Sequence, residues 1–456
     1  MTHSPAVAAA RTRLLLQGYI LGIPLWWVLG IDFIVVQGLA ALLVVVCLTA
    51  HRRFSLSDHL LAATILSLCL SAYLGGFLQG SEHSRFVAAL YNLSFWVCGL
   101  ILVQQVRHIL VHDPDGRMRL LWAGHVAFLM LVACGWGAVA LAYAVGDLSL
   151  ITPSVFGLLV GDRIPDSAPH IQRHAWLVFT LADWGLPGVP MPRMRVFGPY
   201  PAATAATVAA LGTLSLLYVA ERHGRGLRFL VLEAVVPFTL ALTLTRSSLG
   251  GWVMGFVLAN LLFGTIHRRL TAAAVAVMAG GMVLLGSLDV GEAASYRQYS
   301  SESRFENYAE AVERTLDLAP ILGLGIKPRE ESHIALGSHS TYVSVFTKGG
   351  ILGLLLATAY LVLLPAARWT LAWMMTATGA ARLDARGVTE LRILLTLQVA
   401  TWVWLGFEDL DAPATAAALL FIGMALIGDG TGRTLAGAGP RAQARPGRPL
   451  LRRRTA

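Results

Sequence analysis

The chain has 456 residues, of which 56% are hydrophobic and only 13% charged, with a mean hydropathy of +0.65. Soluble domains carry about 25% charged residues, so the composition excludes a soluble globular enzyme and points to a polytopic membrane protein. The net charge is +9 and Lys327 and Lys348 are the only lysines; in a membrane protein an arginine excess bears on orientation before it bears on nucleic acid.

A spanning helix needs about 20 apolar residues. Runs of that order fall near 14–31, 33–50, 58–79, 86–106, 119–146, 201–220, 227–245, 247–265, 270–288, 341–366, 388–407 and 412–428. They predict an all-α membrane bundle of about 12 transmembrane helices. No small-residue cleavage site follows the first run, so no removable signal peptide is expected. Cys47, Cys69, Cys98 and Cys134 lie inside apolar runs without paired spacing, which favours small buried hydrophobes over a disulfide or zinc framework.

The connections sort by charge. Arg11 and Arg13 precede the first run, and Arg52 and Arg53 follow the second. Arg107, Arg117 and Arg119 follow the fourth, and Arg222, Arg225 and Arg228 the sixth. His267, Arg268 and Arg269 follow the eighth, and Arg368, Arg382 and Arg386 the tenth. With an even span count these connections and both termini share one side, which the positive-inside rule assigns to the cytoplasm. The expected organisation is a single transmembrane domain over 1–428 and a basic cytoplasmic tail over 429–456, whose Gly, Pro and Arg content suits disorder. The opposite side receives two long external loops, 147–200 and 289–340, the second between spans nine and ten.

Positive charge in those loops runs against the rule that orients the rest. The first holds Arg163, Arg173, Arg193 and Arg195 with His170 and His174. The second holds Arg297, Arg304, Arg314, Lys327, Arg329, His333 and His339. Ser303 and Glu306 fit a capping box that would open an amphipathic helix, with Phe305, Tyr308, Ala309, Val312 and Leu316 at helical spacing and Pro320 as its stop. Arg304 then falls in a first helical turn, beside unpaired N–H groups that suit a phosphate. Arg246 sits in TLTRSSLGGW at a nearly absent turn, where Ser247 or Ser248 can cap the next helix. Arg195 sits in MRVFGPYPAATAA, over a Gly-Pro lead into a span.

His339 sits in GSHSTYVSVFTKGG, where Ser338 or Ser340 can cap. A helix N-terminus disfavours imidazolium, so His339 is expected neutral and able to accept a proton from a hydroxyl. Glu408, Asp409 and Asp411 close the eleventh run and can pair with arginines, orient His339 or mark the water interface. Singly, Arg246 and Arg195 also read as interfacial anchors, Arg304 as a solvated arginine on a surface helix and His339 as a capping or interfacial residue. Together they describe one anion site at a membrane surface, suited to a pyrophosphate. His170 and His174 are four apart, but no carboxylate completes a metal set; no metal and no cofactor are expected.

Four segments resemble the O-antigen ligase and polymerase superfamily. RVFGPYPAATAA resembles its Arg-x-x-Gly lead into a span, and TRSSLGG its Ser/Thr-Arg-Ser/Gly turn. SRFENYAEAVERTLDLAPILGLGI resembles its amphipathic loop helix followed by Pro-x-x-Gly-x-Gly, and SHSTYVSVFTKGGILG its His-bearing span start. The match covers 190–428 by motif. The resemblance implies a metal-independent, inverting glycosyltransferase that moves a glycan from undecaprenyl pyrophosphate to an acceptor hydroxyl. It implies Arg246 and Arg304 on the pyrophosphate, Arg195 as a further candidate, and His339 as general base. Arg297, Tyr342, Glu408 and Asp409 are secondary candidates.

The implied partners are a lipid-linked glycan donor, a glycan or lipid-linked acceptor and membrane lipids, without nucleic acid. The implied location is a bacterial inner membrane, with the site on the external face. Where the family often has Asn after the His, this chain has Ser340, which leaves the acceptor and the choice between ligase and polymerase open. A multi-span transporter is disfavoured by spans nearly free of charge. A peptidoglycan-type glycan polymerase is disfavoured by a loop rich in Arg and His rather than acid.

Overall fold

The N-terminal apolar run does not make one straight helix. Ser4 caps α1 (Pro5–Leu21), with Pro5 in its first turn, and Gly22 and Pro24 then separate it from α2 (Ile23–Leu29) at 55°. Gly30 ends α2 at φ 72°, tight against Ser154 and the His174 carbonyl, where no Cβ fits. A computed structural model describes residues 4–47, 54–78, 83–164, 169–186, 189–271, 273, 275–276, 293–328, 335–380, 383–410 and 414–436.

After α2 come α3 (Asp32–Cys47), α4 (Leu56–Ser71) with a complete Ser55–Asp58 capping box, a π-helical stretch Ala72–Leu78, α5 (His83–His112) and α6 (Gly116–Val145). The first long loop is partly β. Its β1 (Ile151–Pro153) pairs antiparallel with β2 (Trp176–Val178), Ile151 facing Val178, and between them lie α7 (Val155–Val160) and α8 (Pro169–Gln172). Next β3 (Thr180–Leu186) pairs antiparallel with β4 (Val189–Met194), Thr180 facing Met194. The all-α expectation misses these ribbons because their Pro content argues against strands; a two-stranded ribbon has only edges, and edges tolerate Pro. The remaining helices are α9 (Pro201–His223), α10 (Leu227–Leu242), α11 (Arg246–Phe263), α12 (Ala293–Leu318), α13 (Thr341–Thr358), α14 (Leu364–Ala377), α15 (Ala385–Phe407) and α16 (Ala414–Ala436).

Seven helices among the described residues are long and apolar enough to cross a membrane: Leu56–Gly75, Arg85–His112, Gly116–Val145, Pro201–His223, Thr341–Ala377, Ala385–Phe407 and Ala414–Gly432. Counting the bent pair α1–α2 as one broken span makes eight. The expectation of about 12 therefore does not hold, and the chain is a smaller multi-pass helical membrane protein. Counting apolar runs overlooks what interrupts them. The helix over 33–50 is short, α10 has 16 residues with Glu233 and Pro237 inside, and α11 starts on Arg246 and carries Asn260. The run at 270–288 falls almost wholly outside the described residues. Of the tail expected over 429–456, Asp429–Ala436 continue α16 and the rest lies outside the described residues.

At the centre lies α9, packed on α6, α10, α15 and α16 and buried on nearly every side. Its Ala-, Thr- and Gly-rich sequence makes this possible, because small side chains let helix backbones approach closely without any hydrophobic drive between helices in lipid. At one end of the bundle, buried and half-buried arginines are clasped by carboxylates. Arg13 pairs with Asp113 at 3.0 Å and Arg107 with Asp58 at 2.6 Å. Arg117 meets Glu221 at 2.6 Å, Glu390 at 3.0 Å and Asp429 at 3.3 Å, joining the ends of α6, α9, α15 and α16. Charge is also buried inside spans, at Lys348 and Arg392, contrary to the expectation of nearly charge-free spans.

What positions the other end is a break in α13. Gly350, at φ 59°, leaves the helical region, and the turn Pro320–Gly325 inserts there. Ile351 N–H donates to the Pro320 carbonyl at 2.9 Å and Leu352 N–H to that of Ile321 at 3.1 Å. Leu324 N–H donates to the Thr347 carbonyl at 2.7 Å and Gly325 N–H to that of Lys348 at 3.0 Å. A Cβ on Gly323 or Gly350 would overlap the other's backbone, and one on Gly325 would strike the Ser71 carbonyl. The Pro-x-x-Gly-x-Gly and Lys-Gly-Gly segments are thus two sides of one backbone contact.

Candidate functional site

His339 closes a tight turn on the start of α13. Gly337 lies at φ 71° and His339 itself at φ 70°. Ser340 follows as N-cap, its hydroxyl accepting from Val343 N–H at 3.4 Å. Two side chains of α12 hold the turn: Tyr308 donates its hydroxyl to the His339 carbonyl, and Asn307 Oδ1 accepts from Gly337 N–H at 2.9 Å. Thr341 binds the Glu408 carbonyl through its N–H at 3.0 Å and its hydroxyl at 2.8 Å. Lys327 pairs with Asp409. Segments around 304–308, 327, 337–341 and 408–410 therefore meet at one place.

The electrostatics follow from burial among cations. The His339 imidazole is held down to about 4 by burial first, and then by Arg304, Lys327 and Arg173. It is neutral at neutral pH, with burial and three cations as causes that the sequence reading, which named the helix N-terminus, did not include. Glu408 is 7% exposed. Burial pushes its carboxyl up to about 7, with Asp409 adding and Arg304 and Arg193 opposing. Burial also holds Arg195 down to about 10, helped by Arg173. Arg195 donates through Nη2 to the Pro199 carbonyl, while its Nε is buried with no hydrogen-bond partner. Arg193 Nε donates to the Thr243 carbonyl at 2.8 Å, which ties β4 to the turn before α11.

Two capping expectations need correction. Arg304 lies well inside α12, which starts at Ala293, so neither it nor Ser303 stands at a helix start; no breaker precedes the S-x-x-E pattern, and a continuous helix needs no cap there. Thr245, not Ser247 or Ser248, is the N-cap of α11, and it makes no side-chain capping bond. Arg246 is the exposed first residue of that helix. Arg297 lies on α12 ahead of Arg304. Tyr342 is half-buried against the apolar core. His174 is taken by Asp32, Nδ1 to Oδ1 at 2.7 Å, which fixes the backbone beside Arg173. Arg329, His333 and Asp411 lie outside the described residues. Among the described residues no three His, Cys, Asp or Glu side chains gather as a metal site.

Sequence reasoning counted Arg173 and Arg193 only as external charge. Their nearness to His339, Arg195 and Glu408 depends on how the β-ribbon folds back over the bundle, and no local pattern carries it. A second feature is equally invisible in the sequence. Among the described residues three non-glycine residues have positive φ: Phe197 at 58°, Leu244 at 48° and His339 at 70°. Phe197 lies two residues after Arg195, and Leu244 two residues before Arg246. Such backbone costs about 1–3 kcal/mol per residue and persists where the surroundings over-determine it, most often at functional sites.

No family model matches the chain, and no curated protein matches it. Fold and site together define a multi-pass helical membrane protein with a cation-rich, backbone-strained site at one end of its bundle.

Proposed function

We propose that the protein is a membrane glycosyltransferase that moves a glycan from undecaprenyl pyrophosphate to an acceptor hydroxyl, as in O-antigen ligation or surface polysaccharide polymerisation. The observation that carries the proposal is the coincidence of strain and charge. Among the described residues the three positive-φ non-glycine residues are His339 and the close neighbours of Arg195 and Arg246, in a region where Arg173 and Arg304 also act on His339.

In this reading Arg195, Arg246 and Arg304 engage the pyrophosphate, and the unpartnered Arg195 Nε is a donor suited to a phosphate oxygen. The neutral His339 takes the acceptor proton as the hydroxyl oxygen attacks the anomeric carbon. The bond from that carbon to the pyrophosphate oxygen breaks, the configuration inverts, and the electron pair leaves with undecaprenyl pyrophosphate. Guanidinium charge stabilises the leaving group, so transfer is expected without a divalent metal. The basic connections face the bacterial cytoplasm, as the positive-inside rule requires, and the site faces outward at the inner membrane. The acceptor is either a terminal lipid-borne sugar or the next lipid-linked repeat.

The test is to make His339→Ala and Arg304→Ala separately in cells and run surface glycan on gels. Loss of glycan in both, at normal protein levels, supports the assignment; normal glycan in both refutes it. Transfer in vitro with a chelator present tests the metal-free step.

A further inference from the structure

A second cationic cluster lies at the opposite end of the bundle, and the proposed transfer does not use it. Arg392 is on α15, 4% exposed, and about 22 Å along the helix from Phe407, which adjoins the His339 site. Its Nη2 lies 3.3 Å from Glu233 Oε1 on α10, while its Nε and Nη1 are buried with no hydrogen-bond partner. Arg268, just past α11, reaches the same oxygen at 3.2 Å. Arg225, in the turn between α9 and α10, is within electrostatic reach. One carboxylate is shared by two guanidiniums, with a third near Arg392.

The contrast with Arg117 is direct. Arg117 lies at the same end, is also buried, and has three carboxylates around it. An under-compensated buried charge is destabilising, and two unsatisfied guanidinium nitrogens on a side chain this deeply buried, with its one carboxylate shared, point to an anion as the missing partner. Arginine forks match phosphate oxygens in shape as well as charge. The surroundings point to the source. Leu227 and Leu230 on α10, and Ile266 and Leu270 beside Arg268, are exposed large hydrophobics, as expected where acyl chains lie next to a bound headgroup.

We infer that Arg392, Arg268 and Arg225 form a phosphate-binding site, distinct from the transfer site, that takes the headgroup phosphate of an anionic membrane lipid. Full-length protein in neutral detergent, stripped of lipid, is titrated with short-chain phosphatidylglycerol or with inorganic phosphate at matched ionic strength, and the unfolding temperature is followed. A saturable rise is expected, at lower concentration for the lipid than for phosphate; equal concentrations for both would reassign the site to free phosphate and overturn the lipid source. Arg268→Gln, which removes a half-exposed arm and leaves the buried one, weakens the half-saturation by about tenfold or more. Arg119→Gln, an exposed arginine at the same end, leaves it unchanged. No saturable rise with either ligand, or a rise that Arg268→Gln and Arg392→Gln both leave intact, overturns the site. None of these readouts involves glycan transfer.

Discussion

The two ends of the bundle use arginine in opposite ways. At one end Arg13, Arg107 and Arg117 are each met by carboxylates at 2.6–3.3 Å, and Arg117 alone joins four helices. At the other end Arg304, Lys327 and Arg173 act on His339, Arg195 lies near Arg173 and Arg193 near Glu408, with Glu408 and Asp409 as the acidic counterparts. Positive-φ residues occur only at this second end among the described non-glycine residues. A charge paired inside the protein holds helices together; in the proposed function, cations in excess on strained backbone are set for the charge of the donor pyrophosphate. Arg392 differs in that the one carboxylate it meets, Glu233, is shared with Arg268, whereas Arg13 has Asp113 to itself.

The largest expected effect separates the ends by activity. His339→Ala and Arg304→Ala should each lower transfer by roughly 100-fold or more and leave the unfolding temperature near that of the wild type. Equal losses of stability would mean that these groups are structural, like Arg117. Conversely, Arg117→Ala strands three carboxylates and should destabilise by about 3–5 kcal/mol in denaturant melts, with activity per folded molecule unchanged.

Next in size is the pH dependence of stability. Glu408 carries a raised pKa, so the folded state binds its proton more tightly, and its contribution falls as pH rises from 4.5 to about 7. His339 carries a depressed pKa, so its contribution is complete above 6.5 and is lost as pH falls toward about 4. In the wild type the two slopes oppose each other between pH 4.5 and 6.5. His339→Ala should leave an unfolding temperature that drops with rising pH across that window, and Glu408→Gln one that climbs. Parallel profiles for all three proteins would remove the electrostatic account of the site. The smallest effect is expected from Leu244→Gly, which relieves a φ of 48°. It should change stability by no more than about 1 kcal/mol while lowering transfer severalfold, because the turn that aims Arg246 loosens.

Much of this was legible in the sequence where the controlling physics is local. Pro320 stops α12 two residues after Leu318, and Ser340 caps α13, because a missing N–H and a short hydroxyl act on their own neighbours. Local rules also failed where a competing context lay nearby. Ser303 and Glu306 satisfy the capping pattern inside a helix that is already running. Apolar runs at 227–245 and 247–265 overcount spans because Glu233, Pro237, Arg246 and Asn260 shorten or interrupt them.

By itself, the sequence determined the class of protein, a multi-pass helical membrane chain, and the positions of its seven long apolar helices. Burying about 20 apolar residues is a decision each segment makes with lipid rather than with the rest of the chain. Only the tertiary structure decided the number of spans, the β-ribbons of the first loop, the insertion of Pro320–Gly325 into the break at Gly350, and the company His339 keeps. Backbone strain and the balance of buried charge depend on groups brought together from distant parts of the chain, so no window of sequence contains them.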